Sequence, residues 1–94
     1  MALIFEWDPE KGGKNLKIHG ISFDEASTTF DDPLSITIDD PIHSKGEQRF
    51  ILIGQSRQNR LLVIVHTERD DRIRIISARL ATKKERHSYE NDEE

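Results

Sequence analysis

The sequence predicts an α+β domain with a mainly antiparallel sheet of four to five strands. Helix-start and helix-stop signals dominate the first third of the chain, whereas strand-like apolar runs dominate the second half. The predicted order is β-α-α-β-β-β-β-α, with two N-terminal helices on one face of the sheet and a short C-terminal helix. We expect residues 1–90 to form this single domain and the acidic residues 91–94 to form a disordered tail.

The N-terminal third carries the signals of one short strand and two helices. Residues 3–7 form an apolar run rich in strand formers. Residues 9–19 are predicted to form the first helix. They follow Asp8, a good N-cap, and precede Gly20, a residue typical of helix C-termini. Residues 23–30 follow a capping box of sequence SFDE and precede an Asp-Pro pair, so they predict a second helix.

The second half changes to strand-like patterns. Residues 34–38 alternate between apolar and polar side chains, which predicts a half-buried strand. Residues 49–55 and 61–69 are apolar at both odd and even positions, so they predict central strands covered on both faces. The Asp70-Asp71 pair predicts a tight turn into a last strand over residues 72–80. A capping box of sequence TKKE then opens the final helix.

Several classes of protein and site are disfavoured by the composition. The chain has no cysteine, and no two histidines have metal-ligand spacing, so we predict no metal site. It has no glycine-rich phosphate loop, nucleophile elbow or dinucleotide fingerprint, so we expect no cofactor. It shows no signal peptide, and its longest apolar run, residues 61–65, is too short to span a membrane. We therefore expect a cytoplasmic protein.

Charge is segregated along the chain, although the net charge is only −4. Residues 1–56 carry five Lys/Arg and ten Asp/Glu, a balance of −5. Residues 57–87 carry nine Lys/Arg and four Asp/Glu, a balance of +5. Such segregation indicates a localised anionic partner, although sheet proteins often have lopsided surfaces.

The strand register predicts where these charges meet. If Asp70-Asp71 is a two-residue turn, Arg69 pairs with Arg72 and Thr67 lies opposite Arg74. If residues 56–60 close the preceding hairpin, Arg49 lies opposite Thr67 on the next strand. One face of the sheet then gathers three neighbouring polar residues, two of them cationic. The alternative is a solvated edge in which nearby acids pair these arginines, namely Glu47, Glu68, Asp70 and Asp71.

Two further candidates fall on the opposite, helix-covered face in this register. His66 is expected opposite Ile75, as either a structural core-edge imidazole or a functional residue at an edge reachable from both faces. Arg79 is expected opposite Leu62, with a partly buried stem, as either a functional cation or half of a structural ion pair with an acid of the first half of the chain. The last helix adds Lys83, Lys84 and Arg86, which either extend a phosphate-binding surface or are simply solvated.

Many short blocks of the sequence resemble the BrnT family of toxins, in the same order and over nearly the whole chain. The blocks are FEWD at 5–8, KIHGISFDEA at 17–26, FDDP at 30–33, EQRF at 47–50, HTER at 66–69, RIRIISAR at 72–79, Ala81-Thr82, Glu85-Arg86 and Tyr89. Six positions match ones typical of that family, namely Lys17, Arg49, His66, Arg74, Ser77 and Arg79.

The resemblance implies a RelE-like ribonuclease that cleaves RNA and blocks translation. It also implies a partner, a ribbon-helix-helix antitoxin similar to BrnA, which would bind operator DNA and dimerise itself, so that the toxin stays monomeric outside the complex. The expected catalytic residues are Arg49, His66, Arg74 and Arg79. The expected RNA-binding residues are Thr67, Arg69, Arg72, Lys83 and Arg86.

Metal-free RNA cleavage requires a base for the 2′-hydroxyl, a cation for the charge on phosphorus and an acid for the leaving oxygen. Arginine provides the cation, but its pKa above about 12 prevents it from acting as the base. The base is then His66, Glu68 or Glu47, with His66 favoured because histidine titrates near neutrality.

We expect the antitoxin to cover one basic corner formed by Arg69, Arg72, Lys83 and Arg86. The open alternatives are a non-catalytic RNA- or ribosome-binding module and a protein-interaction module that uses the same corner.

Overall fold

The computed structural model describes residues 3–43 and 45–91. Its helices and strands are β1 (Ile4–Glu6), α1 (Pro9–His19), α2 (Phe23–Thr28), β2 (Ile36–Asp39), β3 (Arg49–Gln55), β4 (Leu61–Arg69), β5 (Arg72–Leu80) and α3 (Lys83–Glu90). This confirms the predicted order of elements. Of the predicted disordered tail, residues 92–94 lie outside the described residues. None of the described helices is long and apolar enough to cross a membrane.

The helix boundaries follow from the capping residues that the sequence indicated. The Asp8 side chain accepts a hydrogen bond from the Glu10 backbone N–H, 2.9 Å long, and opens α1. Gly20 ends α1 with a φ of 72°, a left-handed conformation that favours glycine. Thr82 and Glu85 form the capping box of α3.

The described residues form one five-stranded sheet with the order β1-β5-β4-β3-β2. The three hairpin-type pairs β2–β3, β3–β4 and β4–β5 are antiparallel, whereas β1 pairs with β5 in parallel. The sheet is therefore mixed but mostly antiparallel, as predicted. The connection from β1 to the rest of the sheet runs through α1 and α2, and β1 lies beside β5.

The main core lies between one face of the sheet and helices α1 and α2. We call this the core face. Its buried residues are Ile21, Phe23, Ala26, Leu52, Leu62, Ile64, Ile75 and Ala78, with Phe5, Trp7 and Phe30 packed around them. A smaller cluster lies on the opposite face under α3, where Ile53, Leu61 and Val63 contact Ala81 and Tyr89. Because α3 is short, it covers only one end of that second face.

A bulge in β5 changes the face on which Arg79 lies. Thr67 pairs with Arg74 as predicted, but the register shifts between Val65 and His66, so that Val63 rather than Leu62 pairs with Arg79. The predicted pairing of Leu62 with Arg79 is therefore wrong. Side chains alternate between faces only in a regular strand, and one extra residue in β5 reverses the alternation beyond it. Arg79 thus lies on the face opposite the main core, not on the core face.

Candidate functional site

A row of four residues crosses the face of the sheet opposite the main core. Glu6 on β1 pairs with Arg74 on β5, Arg74 with Thr67 on β4, and Thr67 with Arg49 on β3. Paired residues share a face, and neighbouring strands are about 4.8 Å apart, so Arg49 and Arg74 are about 10 Å apart at the backbone. We call this surface the arginine face. It confirms the predicted register of the three central residues and adds Glu6.

Thr67 is the small residue between the two arginines of the row. It is 1% exposed. Its hydroxyl donates a 2.7 Å hydrogen bond to the backbone oxygen of Gln48, the residue that precedes β3. The hydroxyl thereby fixes the end of β3, and the small side chain leaves room for Arg49 and Arg74 on either side.

Two carboxylates bridge four arginines at this end of the sheet. Glu6 lies 3.4 Å from Arg74 and 3.6 Å from Arg72. Glu47 lies 3.7 Å from Arg49 and 3.5 Å from Arg69. In these pairs, four cations share two anions. The sequence named Glu47 among the acids that would pair with these arginines but missed Glu6, because the parallel pairing of β1 with β5 has no local sequence signal.

Arg79 joins the arginine face to α3. Its guanidinium donates two hydrogen bonds to the carboxylate of Glu85, each 2.8 Å long. These bonds lower the pKa of Glu85 to about 2 and raise the pKa of Arg79. Glu85 also accepts a hydrogen bond from the Thr82 backbone N–H, so one carboxylate both caps α3 and orients Arg79. The sequence offered an ion pair as one interpretation of Arg79, but with an acid of the first half of the chain.

The expected basic corner is two separate surfaces. Arg69 and Arg72 flank the turn at one end of the β4–β5 hairpin, whereas Lys83 and Arg86 lie on α3, beyond the other end of β5. Nine residues of β5 span on the order of 26 Å between these ends. The expectation of one corner was therefore wrong, because the last helix begins where β5 ends rather than where it starts.

His66 lies on the core face, away from the arginines. It is 2% exposed, stacks on Phe50 with ring centroids 5.5 Å apart, and meets Phe30 edge-to-face at 4.9 Å. Among the described residues, neither ring nitrogen has a hydrogen-bond partner. Burial lowers the pKa of His66 to about 4, so the ring is neutral at pH 7. Of the two interpretations that the sequence left open, this placement corresponds to the structural one.

An apolar groove adjoins Arg79 on the arginine face. It has a volume of about 450 Å³ and lies between α3 and strands β2 and β3. The strand side is formed by Ile36, Ile38, Ile51 and Ile53, and the helix side by Lys84 and Ser88, with Arg79 and Glu85 at the junction. Ile38 is 51% exposed, so the groove is open to solvent.

These features define a class of protein with an open cationic sheet face suited to phosphate groups. Guanidinium groups donate paired hydrogen bonds that match phosphate oxygens. Among residues 3–43 and 45–91, no three metal-ligating side chains come together. The described part of the arginine face thus offers arginines, carboxylates and an adjoining apolar groove for recognition and chemistry on a polyanion.

Residues 7–85 match the BrnT_toxin family, described as "Ribonuclease toxin, BrnT, of type II toxin-antitoxin system". The match covers most of the chain, so the protein belongs to this family and is an RNA-cleaving toxin with a cognate antitoxin. The crystal structure of the Brucella abortus ribonuclease toxin BrnT is similar, with a TM-score of 0.65 and 24% sequence identity over 87% of this chain and 100% of that one. That similarity supports the fold. A search of curated proteins found no significant match.

Proposed function

We propose that this protein is a metal-independent endoribonuclease that cleaves RNA on the arginine face and thereby inhibits translation in the cytoplasm. The row in which Arg49 and Arg74 flank Thr67 on one face of the sheet is the observation that carries the proposal. In this arrangement the two guanidiniums face the same side of the sheet and could contact adjacent phosphate groups. Arg69 and Arg72 at one end, with Lys83 and Arg86 at the other, would bind the flanking RNA.

The proposed reaction is attack by a 2′-hydroxyl on the neighbouring phosphorus. A new bond forms between the 2′-oxygen and phosphorus while the bond to the 5′-oxygen breaks, giving a 2′,3′-cyclic phosphate and a 5′-hydroxyl. Arg49 and Arg74 would stabilise the negative charge that develops on the phosphoryl oxygens, and Arg79, five residues further along β5, would orient the flanking part of the RNA. The leaving 5′-oxygen would take its proton from solvent, which reaches this open face.

The base that we assign is Glu47 rather than His66. Glu47 lies 3.7 Å from Arg49 on the open side of the sheet. Of the other two candidates named from the sequence, Glu68 pairs with Ile73 and so lies toward the opposite face, and His66 is buried between two phenylalanines. Because a general base must come within hydrogen-bond reach of the proton that it removes, Glu47 is the better placed of the three.

Cleavage of purified RNA in EDTA tests this proposal. The wild-type protein should cut RNA without added metal, and mass spectrometry of the fragments should find 2′,3′-cyclic phosphate ends. Arg74→Ala and Glu47→Gln should each slow cleavage by about 100-fold or more. Arg57→Ala is the matched control, because Arg57 also pairs with a carboxylate, Asp31, but lies away from the arginine face. Activity that appears only with a divalent metal would refute metal independence.

We also propose that the cognate antitoxin is a BrnA-like ribbon-helix-helix protein that binds operator DNA, while the toxin itself is monomeric outside the complex. Acidic side chains of the antitoxin would lie on the arginine face, and apolar side chains would fill the groove beside Arg79. Charge complementarity supports the first contact, and the four isoleucines of the groove support the second.

Charge reversal distinguishes the two surfaces that replace the expected corner. Arg69→Glu with Arg72→Glu should slow antitoxin association at low salt, because long-range attraction steers the encounter. Lys83→Glu with Arg86→Glu is the matched pair at the opposite end of β5. Equal association rates for the wild type and the first pair would exclude contact of the antitoxin with the hairpin end. Ile38→Asp should instead raise the dissociation rate by placing a charge in the groove.

A further inference from the structure

Helix α1 has one buried residue, and it is polar. Asn15 is 7% exposed and uses its whole carboxamide group. The side-chain nitrogen donates hydrogen bonds of 2.9 Å to the backbone oxygen of Ile21 and 2.8 Å to that of Ala78. The side-chain oxygen accepts a 3.1 Å hydrogen bond from the backbone N–H of Ala78. Both amide hydrogens and the oxygen therefore have partners within the fold.

Asn15 replaces a missing neighbouring strand. On the side of β1, strand β5 has backbone partners only from Arg72 to Arg74. Ala78 is 0% exposed and lies four residues beyond the last of these. The carboxamide donates to its carbonyl and accepts from its N–H, as a paired strand would do. Without it, both backbone groups would be buried without partners, at a cost of roughly 1–3 kcal/mol each.

The residue that Asn15 holds lies between the bulge of β5 and Arg79. The register shift falls opposite Val65 and His66, and Ser77 to Leu80 continue the strand beyond it. This shifted register places Arg79 on the arginine face. A bulge disrupts the regular ladder of hydrogen bonds locally, so the contact with Asn15 adds to the pairing of residues 77–80 with β4 in keeping this segment in register.

We propose that Asn15 is a positioning residue for the ribonuclease reaction, which holds β5 in its bulged register and so keeps Arg79 on the face that carries Arg49 and Arg74. The inference rests on the proposed role of Arg79 in RNA cleavage. Only a side chain that donates and accepts in one plane can pair with both backbone groups of Ala78. An apolar side chain of similar volume can fill the space but cannot hold the strand.

Steady-state cleavage by Asn15→Leu tests the proposal. We expect its kcat to fall at least tenfold, toward that of Arg79→Ala, while KM stays within about twofold because Arg49 and Arg74 still bind RNA. Asn15→Ala is the second variant. It removes both donors and the acceptor without adding a charge or bulk, so the folded protein should show the same loss of kcat. Hydrogen exchange at the Ala78 amide should be faster in both variants than in the wild type.

Two comparisons separate positioning from simple loss of stability. Glu25→Gln removes a buried carboxylate that bonds Arg60 and Ser56 in another part of the core, so it should lower stability without changing kcat. The double variant with Asn15→Leu and Arg79→Ala should be no slower than Arg79→Ala alone, because both changes remove the same contribution. If the losses of kcat add in the double variant, or if folded Asn15 variants keep the wild-type kcat, only the positioning role of Asn15 is refuted. A wild-type kcat in Arg79→Ala would instead refute the proposed function of Arg79, and this inference with it.

Discussion

Replacing His66 by leucine should leave RNA cleavage intact and remove a large part of the acid sensitivity of the fold. His66 is enclosed by Phe30 and Phe50, and its ring nitrogens lack hydrogen-bond partners among the described residues. Leucine is apolar and cannot take up a proton. Because it replaces a buried polar ring that makes no hydrogen bonds, we expect His66→Leu to be at least as stable as the wild type at pH 7.

The size of the pH effect follows from the pKa of His66. Burial lowers that pKa from 6.5 to about 4. In the unfolded chain the ring takes up a proton below about pH 6.5, whereas in the folded protein it does so only below about pH 4. The contribution of neutral His66 to stability is therefore complete above pH 6.5 and is lost as the pH falls to 4. A difference of about 2.5 pKa units corresponds to about 3 kcal/mol.

Urea unfolding of both proteins from pH 8 to pH 4 measures this loss. Groups common to both proteins cancel in the difference in unfolding free energy between His66→Leu and the wild type. This difference should grow by about 3 kcal/mol as the pH falls from 8 to 4. His19→Gln removes an exposed imidazole of α1 and serves as the control, which should keep the wild-type acid sensitivity. A constant difference across this range would refute the assignment of a buried neutral ring. Loss of cleavage in folded His66→Leu would show that His66 is a catalytic residue after all.

Three further substitutions test the site and its supports. Arg74→Ala and Arg79→Ala should both lose cleavage. Arg79→Ala should cost about 1 kcal/mol more stability in urea unfolding, because it breaks a bidentate pair with α3. A larger loss of stability for Arg74→Ala would contradict this geometry. Tyr89→Phe removes a 2.6 Å hydrogen bond to Asp32. It should cost about 1 kcal/mol of stability in thermal unfolding, and an unchanged stability would contradict this bond. Gly54→Ala places a methyl group 3.1 Å from a backbone oxygen. It should cost about 1–3 kcal/mol of stability, and an unchanged stability would show that the backbone shifts there to make room.

Local sequence signals predicted the helices and strands because each signal acts over a few residues. Capping residues set the helix starts, and alternation or full apolarity identified the strands. The Asp70-Asp71 turn then fixed the hairpin register, which placed Arg49, Thr67 and Arg74 together and His66 on the other face. The arginine row was predictable for this reason, since it depends only on counting back from two turns.

The contacts that local signals missed join distant parts of the chain. Glu6 reaches Arg74 through the parallel pairing of β1 with β5, and Asn15 reaches Ala78 across 63 residues. Neither partner can be located by counting residues from a turn, because both contacts depend on the crossover through α1 and α2. The groove beside Arg79 has the same origin, since α3 must first be placed on the sheet before a groove exists.

The bulge of β5 left one visible sign in the sequence. From Arg72 the chain alternates between arginine and isoleucine, and the alternation stops at the adjacent isoleucines Ile75 and Ile76. In a regular strand one of these two would face away from the core, and Arg79 would face toward it. The structure keeps Ile75 in the core and moves Arg79 to the opposite face. Broken alternation in an otherwise regular strand thus indicates a bulge, although it does not say which residue is the extra one.

The ion pairs of the arginine face are suited to a site that must exchange partners. The pairs formed by Glu6 and Glu47 span 3.4–3.7 Å and are partly exposed, so each contributes little to stability. A phosphate group can therefore replace either carboxylate at small cost, while the carboxylates keep like charges from destabilising the empty hairpin. Arg79 differs, because its bidentate bond to Glu85 is short and also caps α3. It is thus held by the fold, whereas the carboxylate pairs of Glu6 and Glu47 are exchangeable.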